Sequence, residues 1–380
     1  MSALITGMGA VAAVGDDVPA IFDALCAGRS GVGPLRGFDP TRFRAQHAYE
    51  IDDRPPSGED LTLRATRWLE QAVQQALTDA GLDDDLSDVP VLIGTTLREL
   101  RSVELCWRDD VPFDLRDLHF GTALRRRFGA TRTYTVANAC SASLYALGLA
   151  ADMIDLGEAD TVVVAGVDTI TESTYGMLDR VYPLPPEAVR PFDRDRRGML
   201  QGDGAVAVVL RREADGPGGG QRHARVRGVG LNCDAYHPSA PDAESIATVI
   251  ADAHRRAGTK PAEIDLVMLH GTGTPRNDEA EAEALRSVFA DDVRSCRMTA
   301  IKSMTGHTAG ASGLHSLVVA VRAMRESRIP PVVGLVRPIE EVAGFGLVAD
   351  RELRAPVRTA QVHSFGFGGL NAVAIVEKVS

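Results

Sequence analysis

The chain has 380 residues, 44% of them hydrophobic and 24% charged; that balance excludes a disordered, collagen-like or coiled-coil chain, and the length suits two or three domains or one large duplicated fold. No apolar run approaches the roughly 18 residues of a membrane span. The net charge of −11 argues against a dedicated nucleic-acid binder, because neutralising phosphates needs surplus Lys and Arg, while a local basic patch on such a body stays compatible with an acidic partner.

Short apolar runs alternate with helical patterns along the chain. Ala3–Thr6 and Val89–Gly94 read as buried strands, with an amphipathic helix between them over Leu61–Ala80. A helix over Ser143–Leu156 follows the Cys140 region, and the β-branched runs Thr161–Val167 and Gly204–Leu210 have the character of strands covered on both faces. Ala214–His223 holds four glycines, one proline and no bulky apolar residue, so it marks a boundary between two halves, 1–215 and 224–380. The second half predicts a strand at Ala224–Gly230, a helix at Ala243–Ala257, a strand at Asp265–Leu269, helices at Asp278–Phe289 and Gly310–Glu326, and a strand at Asn371–Glu377. The alternation implies an α/β class with layered sheets. Each half carries a strand, a reactive turn and a helix, which leaves a duplication open.

The N-terminal stretch lacks the basic region of a signal peptide. The five cysteines, Cys26, Cys106, Cys140, Cys233 and Cys296, are scattered and form no CxxC pair, so neither a disulfide framework nor a zinc site is expected and a reducing, cytoplasmic location is.

Four segments have the composition of reactive turns. In Thr135–Ser143 a β-branched stretch ends in small residues around Cys140, directly before a helix. A sulfur there faces free N–H groups of the helix start, which favours thiolate and lowers the thiol pKa; read alone, Cys140 is equally a small buried hydrophobe. His270-Gly-Thr-Gly-Thr274 follows a strand, where catalytic groups collect in α/β proteins; Gly271 and Gly273 permit close backbone approach, and Thr272 and Thr274 can hydrogen-bond an amide-bearing chain. A phosphate loop is the rival there, but the Gly-Lys-Ser/Thr ending is absent, and a plain glycine turn with a solvated histidine is the simpler alternative. Lys302 and His307 flank Gly306 before a small-residue helix start. His270 and His307 lack helical i,i+4 spacing and a third carboxylate ligand, so no metal is expected. In Ser364–Asn371, Gly366, Gly368 and Gly369 allow positive φ and expose N–H groups of the oxyanion-hole kind, the alternative being a glycine turn before the last strand.

Taken in order, these motifs resemble the β-ketoacyl synthases, the decarboxylating condensing enzymes. The match includes Ile5-Thr-Gly-Met-Gly-Ala10, Pro191–Gly198 with Gly202-Asp-Gly-Ala205, Cys140, the His270 and Lys302–His307 segments and Ser364–Asn371, and it spans the whole chain. The resemblance implies a thiolase-like fold, two pseudo-repeated α/β halves in a five-layered αβαβα core, and a homodimer, with a heterodimer as the alternative. It implies the Cys-His-His set of elongating synthases: Cys140 as nucleophile, His270 and His307 as donors to a decarboxylating malonyl-type thioester, and Lys302 orienting His307. The backbone N–H groups of Cys140 and Phe367 form the oxyanion hole, and Phe367, between Gly366 and Gly368, doubles as a gate. Thr272, Thr274 and Met199 bind substrate, and Asp278 and Glu281 support the network. No cofactor is expected beyond phosphopantetheine or coenzyme A carrying the substrates.

Departures from the family pattern bear on the substrate. The stretch from Gly94 to Cys140 is short, Met199 replaces a common Phe, Ser316 a common Glu, and His363 stands where Asn or Ser is usual. They favour polyketide, specialised fatty-acid or other secondary-metabolite synthesis over housekeeping elongation. An acyl carrier protein is the expected partner, and Arg64, Arg67 and Arg125-Arg126-Arg127 are candidates to dock it. The alternatives are acyl transfer to an amine or hydroxyl without decarboxylation, and a non-catalytic partner subunit.

Overall fold

The computed structural model describes residues 3–213 and 221–379. Up to residue 213 the chain forms β1 (Ala3–Ala12), α1 (Val18–Cys26), β2 (Gly33–Pro34), β3 (His47–Ala48), α2 (Arg64–Ala80), β4 (Val91–Gly94), α3 (Leu100–Asp109), α4 (Gly121–Phe128), β5 (Thr133–Val136), α5 (Ala142–Asp155), β6 (Thr161–Asp168), α6 (Glu172–Val181) and β7 (Gly204–Arg212). It continues with β8 (Ala224–Cys233), α7 (Ala243–Ala257), β9 (Leu266–Met268), α8 (Pro275–Phe289), β10 (Arg297–Thr299), α9 (Lys302–Thr305), α10 (Ser312–Glu326), β11 (Arg328–Ile329), β12 (Gly346–Leu347), β13 (Leu353–Arg354), β14 (Thr359–Gly366) and β15 (Leu370–Lys378).

Among the described residues eleven strands share one sheet in the order β12-β10-β9-β14-β15-β8-β1-β7-β6-β4-β5. Strands β5, β4 and β6 are parallel, and β7 and β1 follow antiparallel. The second half repeats this with β10, β9 and β14 parallel and β15 and β8 antiparallel. The repeats meet where β1 pairs with β8 over Ala3↔Val226, Leu4↔Arg225 and Ile5↔Ala224. Helices α5 and α10 pack on each other at the centre, α2 covers the outer face of β1, β7 and β6, and α7 covers β8 and β15, with α8 beside it. That is a five-layered helix–sheet–helix–sheet–helix arrangement.

Strand periodicity explains the layers. Along β6, Val162 and Val164 enter the central core, whereas Val163, Ala165 and Val167 face α2. In β15, Ala372, Ala374 and Val376 face the centre and Val373 and Ile375 face α7 and α8. Sheets covered on both faces need runs without polar alternation, and each fully buried aliphatic side chain contributes roughly 1.5–3 kcal/mol of transfer free energy. The central layer also requires a missing side chain: a Cβ on Gly94 would lie 2.3 Å from the Ser143 nitrogen, so only glycine lets β4 approach α5.

Several expectations shift. The helix expected from Leu61 begins at Arg64, because Leu63 takes a left-handed φ of 60°. Helix α7 matches its expected span: Asp242 accepts from Ser245 N–H at 2.8 Å at one end, and Gly258 at φ 63° closes the other. The glycine-rich segment before the last strand is half strand, since β14 runs through Ser364, Phe365 and Gly366. Of the expected boundary loop Ala214–His223, residues 214–220 lie outside the described residues, and 221–223 are irregular.

Candidate active site

Cys140 sits in a single 3₁₀ turn, Ala139–Ser141, between β5 and α5. Ala139 before it is held at φ 48°, a conformation that costs a non-glycine residue about 1–3 kcal/mol. The turn is held from outside: Ser364 Oγ donates to the Cys140 carbonyl at 2.8 Å, and Ser312 Oγ lies 3.4 Å from the same oxygen. The helix-start argument for a lowered thiol pKa does not carry through. Burial pushes the Cys140 thiol up to about 11, against the opposing pull of the Lys302 charge and of the Phe367 and Cys140 backbone N–H groups. Those two N–H groups do address the sulfur.

The resting thiol has a proton acceptor in contact. His307 Nε2 lies 2.9 Å from Cys140 Sγ. The segment of Met199 to Asp203 fixes this imidazole through its backbone, with His307 N–H donating to the Leu200 carbonyl at 2.9 Å and Gly202 N–H to the His307 carbonyl at 3.0 Å. His270 stands at the end of β9, its ring centroid 5.4 Å from that of His307. Burial, reinforced by the Lys302 charge, holds both imidazoles well below the ordinary histidine range, so both are neutral.

Lys302 contacts His270 rather than His307. Its Nζ donates to the His270 carbonyl at 2.6 Å and lies 3.3 Å from His270 Nδ1. Residues 302–305 form a short helix, α9, which carries the ammonium under the preceding strand end and leaves His307 to the Met199 segment. An ammonium has only donors, so Nδ1 accepts, and Nε2 carries the proton of a ring that lines the cavity. Burial lowers Lys302 to about 8, opposed by Glu281, Cys140 and Asp278. Glu281 accepts the backbone N–H groups of His270 at 2.7 Å and Gly271 at 2.9 Å. Asp278 accepts from Phe192 N–H at 2.7 Å and Gly273 N–H at 3.2 Å, and burial raises it to about 7. Both carboxylates therefore shape the loop bearing His270.

Cys140, Met199, His270, Thr272, Thr274, His307, Gly366, Phe367 and Gly368 line one cavity, with about 450 Å³ of non-atom space including its open mouth. The hydroxyls of Thr272 and Thr274 are 2.9 Å apart on its wall. Phe367 is 40% exposed at the rim. Gly368 and Gly369 take φ of 83° and 77°. Gly366 does not: it ends β14, and its lack of a side chain matters because a Cβ would lie 3.3 Å from the Cys140 nitrogen.

Sequence reasoning missed Asp168. Its carboxylate accepts Leu97 N–H at 2.7 Å, Thr96 N–H and Thr95 Oγ1 at 2.8 Å, and Gly310 N–H at 2.7 Å, so it clamps the two halves beside Cys140. A charged residue closing a wholly buried strand was the available signal. The arginine candidates also need correction. Arg64 is buried, 2.6 Å from Asp53 and 2.9 Å from Asp60, and cannot meet a partner. Arg67, Arg125, Arg126 and Arg127 are exposed, with Arg127 donating to Gln74. Among the described residues no group of three or more His, Cys, Asp and Glu side chains is arranged to hold a metal, and no helix is long and apolar enough to cross a membrane.

The β-ketoacyl synthase N-terminal domain model matches residues 2–216 and the β-ketoacyl synthase C-terminal domain model residues 223–336. The chain belongs to the β-ketoacyl synthase family. It is 31% identical to a 3-oxoacyl-[acyl-carrier-protein] synthase 2 of Coxiella burnetii, over 99% of this chain and 98% of that one. Among solved structures it is similar to the ishigamide ketosynthase/chain length factor, with TM-score 0.90 and 32% identity over 100% and 99% of the two chains. It also shares the fold of a chain in the solved complex of a type II PKS acyl-carrier protein with its ketosynthase bound to the hexaketide, with TM-score 0.86 and 21% identity over 100% and 99% of the two chains. Family membership makes the protein a transferase acting on acyl groups, with condensing ketosynthase activity in fatty-acid or polyketide biosynthesis.

Proposed function

We propose that the chain is an elongating β-ketoacyl synthase that joins an acyl group held on Cys140 to a decarboxylating malonyl-type thioester. The observation that carries this reading is the 2.9 Å contact of Cys140 Sγ with His307 Nε2 in the cavity that His270 also lines. In the first half-reaction His307 accepts the thiol proton as the sulfur attacks an acyl thioester. The tetrahedral oxygen lies against the Cys140 and Phe367 N–H groups, and the proton leaves on the departing carrier thiol.

In the second half-reaction the malonyl-type thioester carbonyl faces His270 and His307. Loss of CO₂ breaks the carbon–carboxylate bond and leaves an enolate, which the His270 Nε2–H stabilises where its charge develops, joined by His307 once its own ring proton has passed from Nδ1 to Nε2 through solvent. The α-carbon forms a bond to the acyl carbon, the carbon–sulfur bond to Cys140 breaks, and one proton restores the thiol. The balance is acyl-enzyme, malonyl-type thioester and one proton to β-ketoacyl thioester, CO₂ and free enzyme. No cofactor takes part beyond the carrier's phosphopantetheine or coenzyme A. The relatives' names and the carrier complex of the structural neighbour support an acyl carrier protein as partner, and the family resemblance supports a cytoplasmic homodimer.

Intact-mass measurement with a panel of acyl thioesters tests the nucleophile: the wild-type chain gains one acyl group and Cys140→Ala gains none. Carboxyl-labelled malonyl thioester tests the reaction, because acyl transfer to an amine or hydroxyl releases no labelled CO₂. Persistent acylation of Cys140→Ala, or product without CO₂, overturns this reading.

A further inference from the structure

One buried side chain close to the site has no task in the steps above. Gln201 precedes Gly202 in the segment that holds His307, and its main chain pairs beside that histidine in parallel register. Its side chain lines a second space, of about 240 Å³ of non-atom volume including the open mouth. Four polar side chains stand on the wall of that space, those of Tyr175, Asp179, Tyr182 and Gln201, and the remainder is apolar.

Three of the four are engaged within the chain. Tyr175 Oη donates to the His47 carbonyl at 2.8 Å. Asp179 accepts Ala45 N–H at 2.8 Å and Arg44 N–H at 3.1 Å. The Tyr182 phenol oxygen takes the Met199 N–H. Gln201 is 7% exposed, and its Oε1 is buried without a partner among the described residues. A buried acceptor left unmet is costly, and it calls for a donor from outside the chain.

This space adjoins the Cys140 cavity, because the Met199 side chain lines both. Tyr182 also stands within electrostatic reach of the sulfur, which adds to burial in pushing the phenol up to about 12. A chain that starts on Cys140 and passes Met199 therefore meets an apolar wall with one open acceptor.

We propose that Gln201 is a specificity-determining residue that selects acyl groups carrying a hydroxyl on the tail that passes Met199. The inference rests on the reading that Cys140 takes an acyl group, and it names the class of that group. A hydroxyl donates to Oε1 while the methylenes before it lie along the apolar wall. A methyl end leaves the oxygen unmet, and a carboxylate end brings no donor and sets its charge against Asp179.

Two series of acyl pantetheines test the inference, alike except that one ends in a methyl and the other in a hydroxyl, over a range of tail lengths. Amide-linked members cannot acylate the sulfur, so their affinity for the unaltered protein, measured by calorimetry, reads the pocket without the chemistry. At one length the hydroxyl member is expected to bind about tenfold more tightly, the worth of one neutral hydrogen bond. The matching thioester is expected to load Cys140 faster by a similar factor, followed by intact mass. Gln201→Met keeps the unbranched shape and removes the amide. In that variant both ratios are expected to fall to one or below, with the urea midpoint not lowered. Equal or weaker binding of the hydroxyl member at every length, or a preference that survives Gln201→Met, overturns the inference. So does a lowered midpoint with an equal loss for both tails, which marks a structural residue. If the hydroxyl amides bind more tightly and no thioester loads Cys140, the acyl-enzyme reading fails and the assignment of Gln201 stands.

Discussion

Two turns at equivalent points of the repeated topology solve the same backbone problem and do different work. Ala139 at φ 48° precedes Cys140 and opens into α5; Ala309 at φ 43° precedes Gly310 and opens into α10. In the first turn the central side chain faces the cavity. In the second no side chain fits, because a Cβ on Gly310 would lie 2.7 Å from the Thr95 backbone, and its N–H is spent on Asp168. The strand ends divide in the same way. Thr95, Thr96 and Leu97 after β4 grip Asp168, whereas His270 after β9 and His307 after β10 line the cavity of the sulfur, with Lys302 held on His270. A strained turn is thus a scaffold that either half can hold, and the residue at its centre decides whether it reacts or packs.

The largest expected effect comes from the reactive side. His270→Ala should lower labelled CO₂ release by about 10²–10³-fold through loss of one aligned donor, while intact mass still shows Cys140 acylated; His307→Ala should slow acylation as well, because the thiol loses its proton acceptor. Loss of acylation in both variants would merge the two roles separated here. On the packed side, Gly310→Ala should cost about 1–3 kcal/mol of stability by overpacking, read as a lower urea midpoint. An unaffected midpoint would mean the second turn is as roomy as the first.

Asp278 sharpens the comparison through pH. Its carboxyl is raised from 3.8 to about 7 in the folded chain, so the folded state holds this proton more tightly than the unfolded one. The associated stability is complete below about pH 4 and is lost as pH rises towards 7. Asp278→Asn cannot ionise, and the difference in unfolding free energy between variant and wild type should grow in the variant's favour by about 2 kcal/mol from pH 5 to pH 7. The smallest effect belongs to Phe367→Ala. It keeps the backbone N–H and removes only the rim side chain, so KM for the acyl thioester should change by less than about tenfold, with acylation intact.

What the sequence reveals follows from where its signals are local. Thr161–Val167 and Ala243–Ala257 are legible because a β-branched run and a capped amphipathic pattern contain their own explanation. The site's composition is legible because Cys140, His270, His307 and the glycine loop stand in small-residue turns. What is not legible is contact across the fold. Lys302 meets His270 because α9 tucks it beneath a strand end, not because of its five-residue spacing from His307. Arg64 looks like an exposed cation, and three carboxylates surround it. The Cys140 thiol is raised rather than lowered because burial, a property of all five layers, outweighs the local N–H groups.

Met199 belongs to two walls at once: that of the Cys140 cavity, and that of a neighbouring pocket bounded by Tyr175, Leu178, Tyr182 and Leu200. The partition between them includes one unbranched thioether with three rotatable bonds. Torsion of that single flexible arm would join the two spaces without displacing the main chain, and the phenol rings of Tyr175 and Tyr182 bound the second space beyond it.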